Sequence, residues 1–210
     1  MFSKALLTVV LAILPLGCER GDDAFTLPHS EDVYAVAFSP DGKRLASASS
    51  DSYKGAVKLW NADTGRQTRT WNISSTTVAF SPDSKRLATA SGSPSEPREI
   101  TIWDAATGKE LLALRGHTGK VSGAAFSPDG KRLASSSIDH TVKLWDAATG
   151  KELLSLPGDT NEFWSVAFSR DGKRVAAASW NQSAGAIKVW DADSGEELLT
   201  VKGHAKPVMC

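Results

Sequence analysis

One pattern recurs four times along this chain, and a fixed internal period restricts it to a small set of repeat architectures. The segment from Val33 to Ala46 returns from Ser75, Val121 and Phe163. Its phenylalanines, Phe38, Phe80, Phe126 and Phe168, are spaced 42, 46 and 42 residues apart. A second block closes each copy: Trp60-Asn61, Trp103-Asp104, Trp145-Asp146 and Trp190-Asp191, with tryptophans 43, 42 and 45 apart. The unusual balance of seven Trp to two Tyr follows, since four of those Trp belong to the repeat.

Each copy reads as four short strands. Ser127-Pro128-Asp129-Gly130 is a tight turn, because Pro presets φ, Asp bonds back to the backbone and Gly accepts a positive φ. The apolar runs on either side, 121–126 and 133–137, form a hairpin around it. A third strand covers 142–145, and a turn at Asp146-Ala147-Ala148-Thr149-Gly150-Lys151 leads into a fourth at 152–156. These strands are apolar on both faces, which suits sheets sandwiched between other sheets. Alanines crowd the first strand (Ala35, Ala37, Ala79, Ala124, Ala125, Ala167), as a strand near a crowded axis requires.

With those motifs in register, residues 24–208 resemble the WD40-repeat β-propeller family, bacterial type. The resemblance implies an all-β fold of four four-stranded blades at 33–71, 76–114, 121–156 and 163–201. It also implies a buried network of His, Ser or Thr, Asp and Trp in each blade. The third unit is complete with His117, Ser135 or Ser137, Asp139 and Trp145. The first has His29, Ser47 or Ser49, Asp51 and Trp60. The second, around Trp103, has no equivalent His or Asp, and the fourth, around Trp190, carries Asp159 and Asn181 instead. Propellers have roughly 4 to 8 blades, and family members usually about seven. Four blades, with Gly203-His204 and Pro207-Val208 resembling the start of a fifth, point to an open arc or partial propeller rather than a closed seven-blade ring.

One rim gathers the features suited to binding. By resemblance the second hairpins share it, and three of them are lengthened: Asp51 to Ala56, Gly92 to Glu99 and Trp180 to Ala186. Insertions on one face of a repeat array mark a binding face or simple loop drift. Tyr34, Trp164 and Trp180 fall there, with Asp32, Lys120, Ile138 and Glu162 at related positions. Such aromatics are common interface anchors; the plainer alternative is that Trp164 and Trp180 pack on each other. On the opposite rim, Lys43-Arg44, Lys85-Arg86, Lys131-Arg132 and Lys173-Arg174 read as solvated turns beside Asp41, Asp83, Asp129 and Asp171.

The N-terminus has the layout of a secretory signal over residues 1–17. Lys4 precedes an apolar run from Ala5 to Leu14, too short to span a bilayer, which takes about 20 apolar residues. Pro15-Leu16-Gly17-Cys18 resembles a lipoprotein lipobox, with Pro15 where that motif prefers Leu and Cys18 as the lipidated first residue. A linker with a short strand would fill 18–32. Lys plus Arg equals Asp plus Glu at 24 each, which argues against general capture of nucleic acid. The sequence shows no nucleophile elbow, zinc-protease motif, P-loop or dinucleotide fingerprint, and no CxxC pair. The resulting expectation is a non-catalytic scaffold without cofactor or metal. It would bind a protein or peptide at the bacterial cell envelope and touch the membrane only through the lipid. The alternatives are a half-length array that assembles with another chain as a homo-oligomer, and a propeller hydrolase with a site in the central channel.

Overall fold

The computed structural model describes residues 27–50, 54–91, 98–158, 162–180 and 185–204. Among these, every regular element is a strand. The first sheet comprises β1 (Val33–Phe38), β2 (Arg44–Ser50), β3 (Gly55–Asn61) and β4 (Gln67–Trp71). The second comprises β5 (Ser75–Phe80), β6 (Arg86–Ser91), β7 (Glu99–Asp104) and β8 (Glu110–Arg115). The third comprises β9 (Val121–Phe126), β10 (Arg132–Ser137), β11 (Thr141–Asp146) and β12 (Glu152–Pro157). The fourth comprises β13 (Glu162–Phe168), β14 (Arg174–Trp180), β15 (Gly185–Asp191) and β16 (Glu197–His204). Each sheet is an antiparallel meander in which sequence order is spatial order, here called blades 1 to 4. Leu27 to Asp32 form no strand; residues 25–26, Asp51, Asp159, Asn181 and the start of the expected fifth unit beyond His204 lie outside the described residues.

Local chemistry explains the meander. In the first turn Gly42 N–H donates to Ser39 O at 2.8 Å with φ of 71°, and the Asp41 carboxylate accepts the Ser39 hydroxyl at 2.5 Å and Lys43 N–H at 3.1 Å. Ser84 stands where the other turns have glycine and still adopts φ of 61°. Its hydroxyl accepts Asp41 N–H from blade 1 at 3.1 Å, a bond between blades that glycine would forgo. The later turn is an Asx turn: Asp146 Oδ1 accepts from Thr149 N–H at 2.7 Å and Ala148 N–H at 3.0 Å.

The core lies between the sheets. Ala46, Ala48, Val57 and Leu59 of blade 1 meet Val78, Phe80 and Leu87 of blade 2. Ile100, Ile102 and Leu114 then meet Val121, Phe126 and Trp145, and Val142, Leu144 and Leu156 meet Phe163, Val166 and Trp190. Inner blades are thus covered on both faces, which is why their strands lack clean alternation. Strand β1 packs on β5, β5 on β9 and β9 on β13, with no comparable packing of β13 on β1. The four blades form an open arc.

Arg44, Arg86 and Arg132 of the Lys-Arg turns bind the blades together, which corrects the reading of those three pairs as solvated, while Lys173-Arg174 is exposed. The lysines are exposed, but Arg86 donates to Gly130 O at 2.7 Å and Ala147 O at 2.8 Å and lies 5.2 Å from the Phe126 ring centroid. Arg132 repeats this on Gly172 O, Ala192 O and Phe168, and Arg44 reaches Ser84 O and Phe80. The first turn of each blade therefore adjoins that of the next. All blades point the same way, with their Ser-Pro-Asp-Gly-type turns on one rim and their second hairpins on the other.

Candidate functional site

Two groups of residues meet at the second-hairpin rim, a bracing network inside blades 1 and 3 and a row of side chains at the blade edges. In blade 3 His117 Nδ1 meets Asp139 Oδ2 at 2.8 Å and Nε2 meets Ser135 Oγ at 2.7 Å, while Trp145 Nε1 donates to Ser135 Oγ at 2.8 Å. A carboxylate only accepts, so His117 Nδ1 carries a proton and donates it to Asp139. Burial alone would raise the Asp139 carboxyl, but hydrogen bonds from His117, Thr141 and Thr118 N–H hold it well below the usual range. The geometry selects Ser135 over Ser137 as the shared residue.

In blade 1 Ser47 is the shared residue. It accepts Trp60 Nε1–H at 2.8 Å and meets His29 Nε2 at 2.6 Å, with Ser49 at 2.9 Å from Nδ1. Burial, with Lys58 second, pushes His29 down to about 4. In blade 2, among the described residues, Trp103 donates to Thr89 Oγ1 at 2.9 Å and no histidine joins it. In blade 4 Ala177 occupies the serine position, a loss that sequence comparison of the second strands shows and the motif reading missed. Phe163 packs edge to face on Trp190 there, with ring centroids 5.7 Å apart.

In blades 1, 3 and 4 the rim residues lie where the first strand faces the second. Asp32 O accepts Ser50 N–H, Lys120 O accepts Ile138 N–H, and Glu162 lies opposite Trp180 in the sheet register. The register slips at the same point in every blade, leaving Tyr34, Thr76, Ser122 and Trp164 outside the ladder as bulge residues. A bulge re-aims its side chain and recurs beside functional sites. Tyr34 is 59% exposed, whereas Trp164 and Trp180 are half-buried. No ring contact joins Trp164 to Trp180 among the described residues. Buried side-chain polar atoms lacking a hydrogen bond there are Thr76 Oγ1 and Trp164 Nε1, both at the bulge position. No helix among the described residues is long and apolar enough to cross a membrane.

Four-stranded blades, three of them braced by a Trp-to-hydroxyl bond, define a propeller-repeat protein. The chain belongs to the WD40 family: the model described as WD domain, G-beta repeat matches residues 21–61, 66–104, 108–146 and 150–191. Each of the last three matches begins with the outer strand of one blade and ends with the third strand of the next, so a sequence repeat straddles two sheets. Among curated proteins the chain is similar to Protein HIR1 of Yarrowia lipolytica, 31% identical over 121 residues, covering 55% of this chain and 10% of that protein. It is 29% identical over 120 residues to a chromatin assembly factor 1 subunit FAS2 homolog of Oryza sativa subsp. japonica, covering 55% and 23%. Anaphase-promoting complex subunit cdh1 of Dictyostelium discoideum is 24% identical over 115 residues, covering 55% and 15%. The chain thus spans less than a quarter of the length of these relatives. A solved structure of U3-55K shares the fold, with a TM-score of 0.74 at 24% identity over 86% of this chain and 55% of that one.

Proposed function

We propose that this chain is a non-catalytic interaction scaffold that engages a protein or peptide partner through its second-hairpin rim, at a bacterial cell envelope to which lipidated Cys18 tethers it. The observation that carries the reading is the shared bulge, which lifts Tyr34 and Trp164 out of the ladder beside Asp32, Lys120, Ile138, Glu162 and Trp180. Relatives named as subunits of the anaphase-promoting complex and of chromatin assembly factor 1 support a role in assemblies. The lipobox-like Pro15-Leu16-Gly17-Cys18 supports the location.

Two measurements test it. Trp164→Ala and Trp180→Ala should each weaken a partner recovered from envelope extract at least about 30-fold while leaving the melting curve in place. Unfolding of both variants as readily as Trp145→Ala would make them core residues and end the rim reading. Mass spectrometry of the mature N-terminus should find an acylated Cys18, and an intact Met1 refutes the envelope anchor.

A further inference from the structure

The junctions between blades 2 and 3 and between blades 3 and 4 are built from the same two halves, while that between blades 1 and 2 keeps the arginine and ring (Arg44, Phe80) but presents Arg69 and Trp71 on its outer strand. The leading half is an arginine with two apolar residues of the outer strand: Arg86 with Leu112 and Leu114, then Arg132 with Leu154 and Leu156. The receiving half is a phenylalanine, two carbonyls and a turn glycine on the following blade. For blade 3 these are Phe126, Gly130 O, Ala147 O and Gly150, and for blade 4 they are Phe168, Gly172 O, Ala192 O and Gly195.

The arc leaves one of each half over. Arg174 occupies the place of Arg86 and Arg132, is exposed, and makes no hydrogen bond or ring contact through its guanidinium among the described residues. Beside it Val201 is 42% exposed, where Leu114 and Leu156 are 1%, and Leu199 is 52% exposed, where Leu112 and Leu154 are half-buried. On blade 1, Phe38 is 47% exposed, where Phe80 and Phe126 are 9%. A Cβ on Gly42 would meet nothing within 4 Å, whereas one on Gly130 would meet Arg86 and Pro82 of the blade before.

We infer that blade 4 of one chain docks on blade 1 of a second copy, Arg174 covering Phe38 and donating to Gly42 O and Ala62 O, with Leu199 and Val201 against Gly65. The occupant is a second copy because this chain carries both halves of a contact it already makes twice, with matching cation, ring and carbonyl acceptors. The contact is heterologous, so it generates a ring if its rotation closes and an open filament if it does not. This surface is separate from the rim in the proposed function, and either stands without the other.

Light scattering and sedimentation of the full chain across the micromolar range test it. The expected result is concentration-dependent association, weakened at least about tenfold by Arg174→Glu and by Phe38→Ala, with unchanged circular dichroism. Mixing the two variants re-creates one intact junction, Arg174 of the Phe38→Ala chain on Phe38 of the Arg174→Glu chain, so the mixture should form a two-chain species that neither forms alone. A monomer at all concentrations overturns the inference, as does association that neither variant alters.

Discussion

Trp145 donates its indole N–H to the Ser135 hydroxyl at 2.8 Å, and that oxygen also meets His117, so one buried serine holds two rings in place. Removing it leaves an indole N–H and an imidazole nitrogen without partners. Ser135→Ala should therefore cost about 2–3 kcal/mol, roughly the penalty for orphaning buried polar groups. Blade 4 offers the converse. Ala177→Ser would supply Trp190 with the acceptor the other three blades have, and should gain up to about 1 kcal/mol. Hydrogen exchange resolved by blade checks both, because stability in a repeat array is a sum over units and junctions. Equal protection of blade 3 in wild type and Ser135→Ala would refute the first.

Blades 1 and 3 should weaken in different acid ranges. His29 is pushed down to about 4 from its ordinary 6.5, so the folded state holds it neutral. A depressed folded pKa gives stability that is complete above 6.5 and lost as pH falls from there toward 4. Asp139 lies below its ordinary 3.8, so its contribution is complete above that value and lost only in stronger acid. NMR titration of the His29 ring should show a midpoint near 4, with blade 1 losing exchange protection before blade 3. A midpoint at 6.5 would contradict the burial that drives the shift.

Arg86 spans blades 2 and 3 through two carbonyls and one ring. Replacing it with Ala removes charged hydrogen bonds worth about 1.5–3 kcal/mol each and a cation–π contact worth about 0.5–2. Since these terms overlap, the expected loss is about 3 kcal/mol, measured by urea denaturation. Arg86→Lys should recover little of it, because a single ammonium cannot serve both carbonyls in the planar geometry of guanidinium. Full recovery by lysine would show that charge alone matters.

Much of this architecture was legible because its signals are local. The period between Phe38, Phe80, Phe126 and Phe168, the Pro-Asp-Gly turns and the Trp-Asp pairs each specify a hairpin or strand within a few residues. Four blades follow from that repetition, and the His, Ser and Trp bracing of blades 1 and 3 was implied by the resemblance to WD40 repeats that it carries. The two serines left open in each complete motif were not separable, since Ser47 and Ser49 lie two apart on one strand face. Only the sheet geometry aims Ser47 at Trp60.

What the sequence by itself determined is the content of one blade, where turn chemistry and strand patterning act over neighbouring residues. Only the tertiary structure decided how blades meet. Arg86 and Ala147 are 61 residues apart and Arg132 and Ala192 are 60, so a Lys-Arg pair that looks like a solvated turn becomes a junction only when the next sheet stacks against it. The bulge at Tyr34 and Trp164 is likewise a slip between strands, with no motif of its own. The opening between blades 1 and 4 belongs to the same class. It is a matter of which strands pack on which, and it leaves Phe38 and Arg174 exposed where their counterparts meet a neighbouring blade.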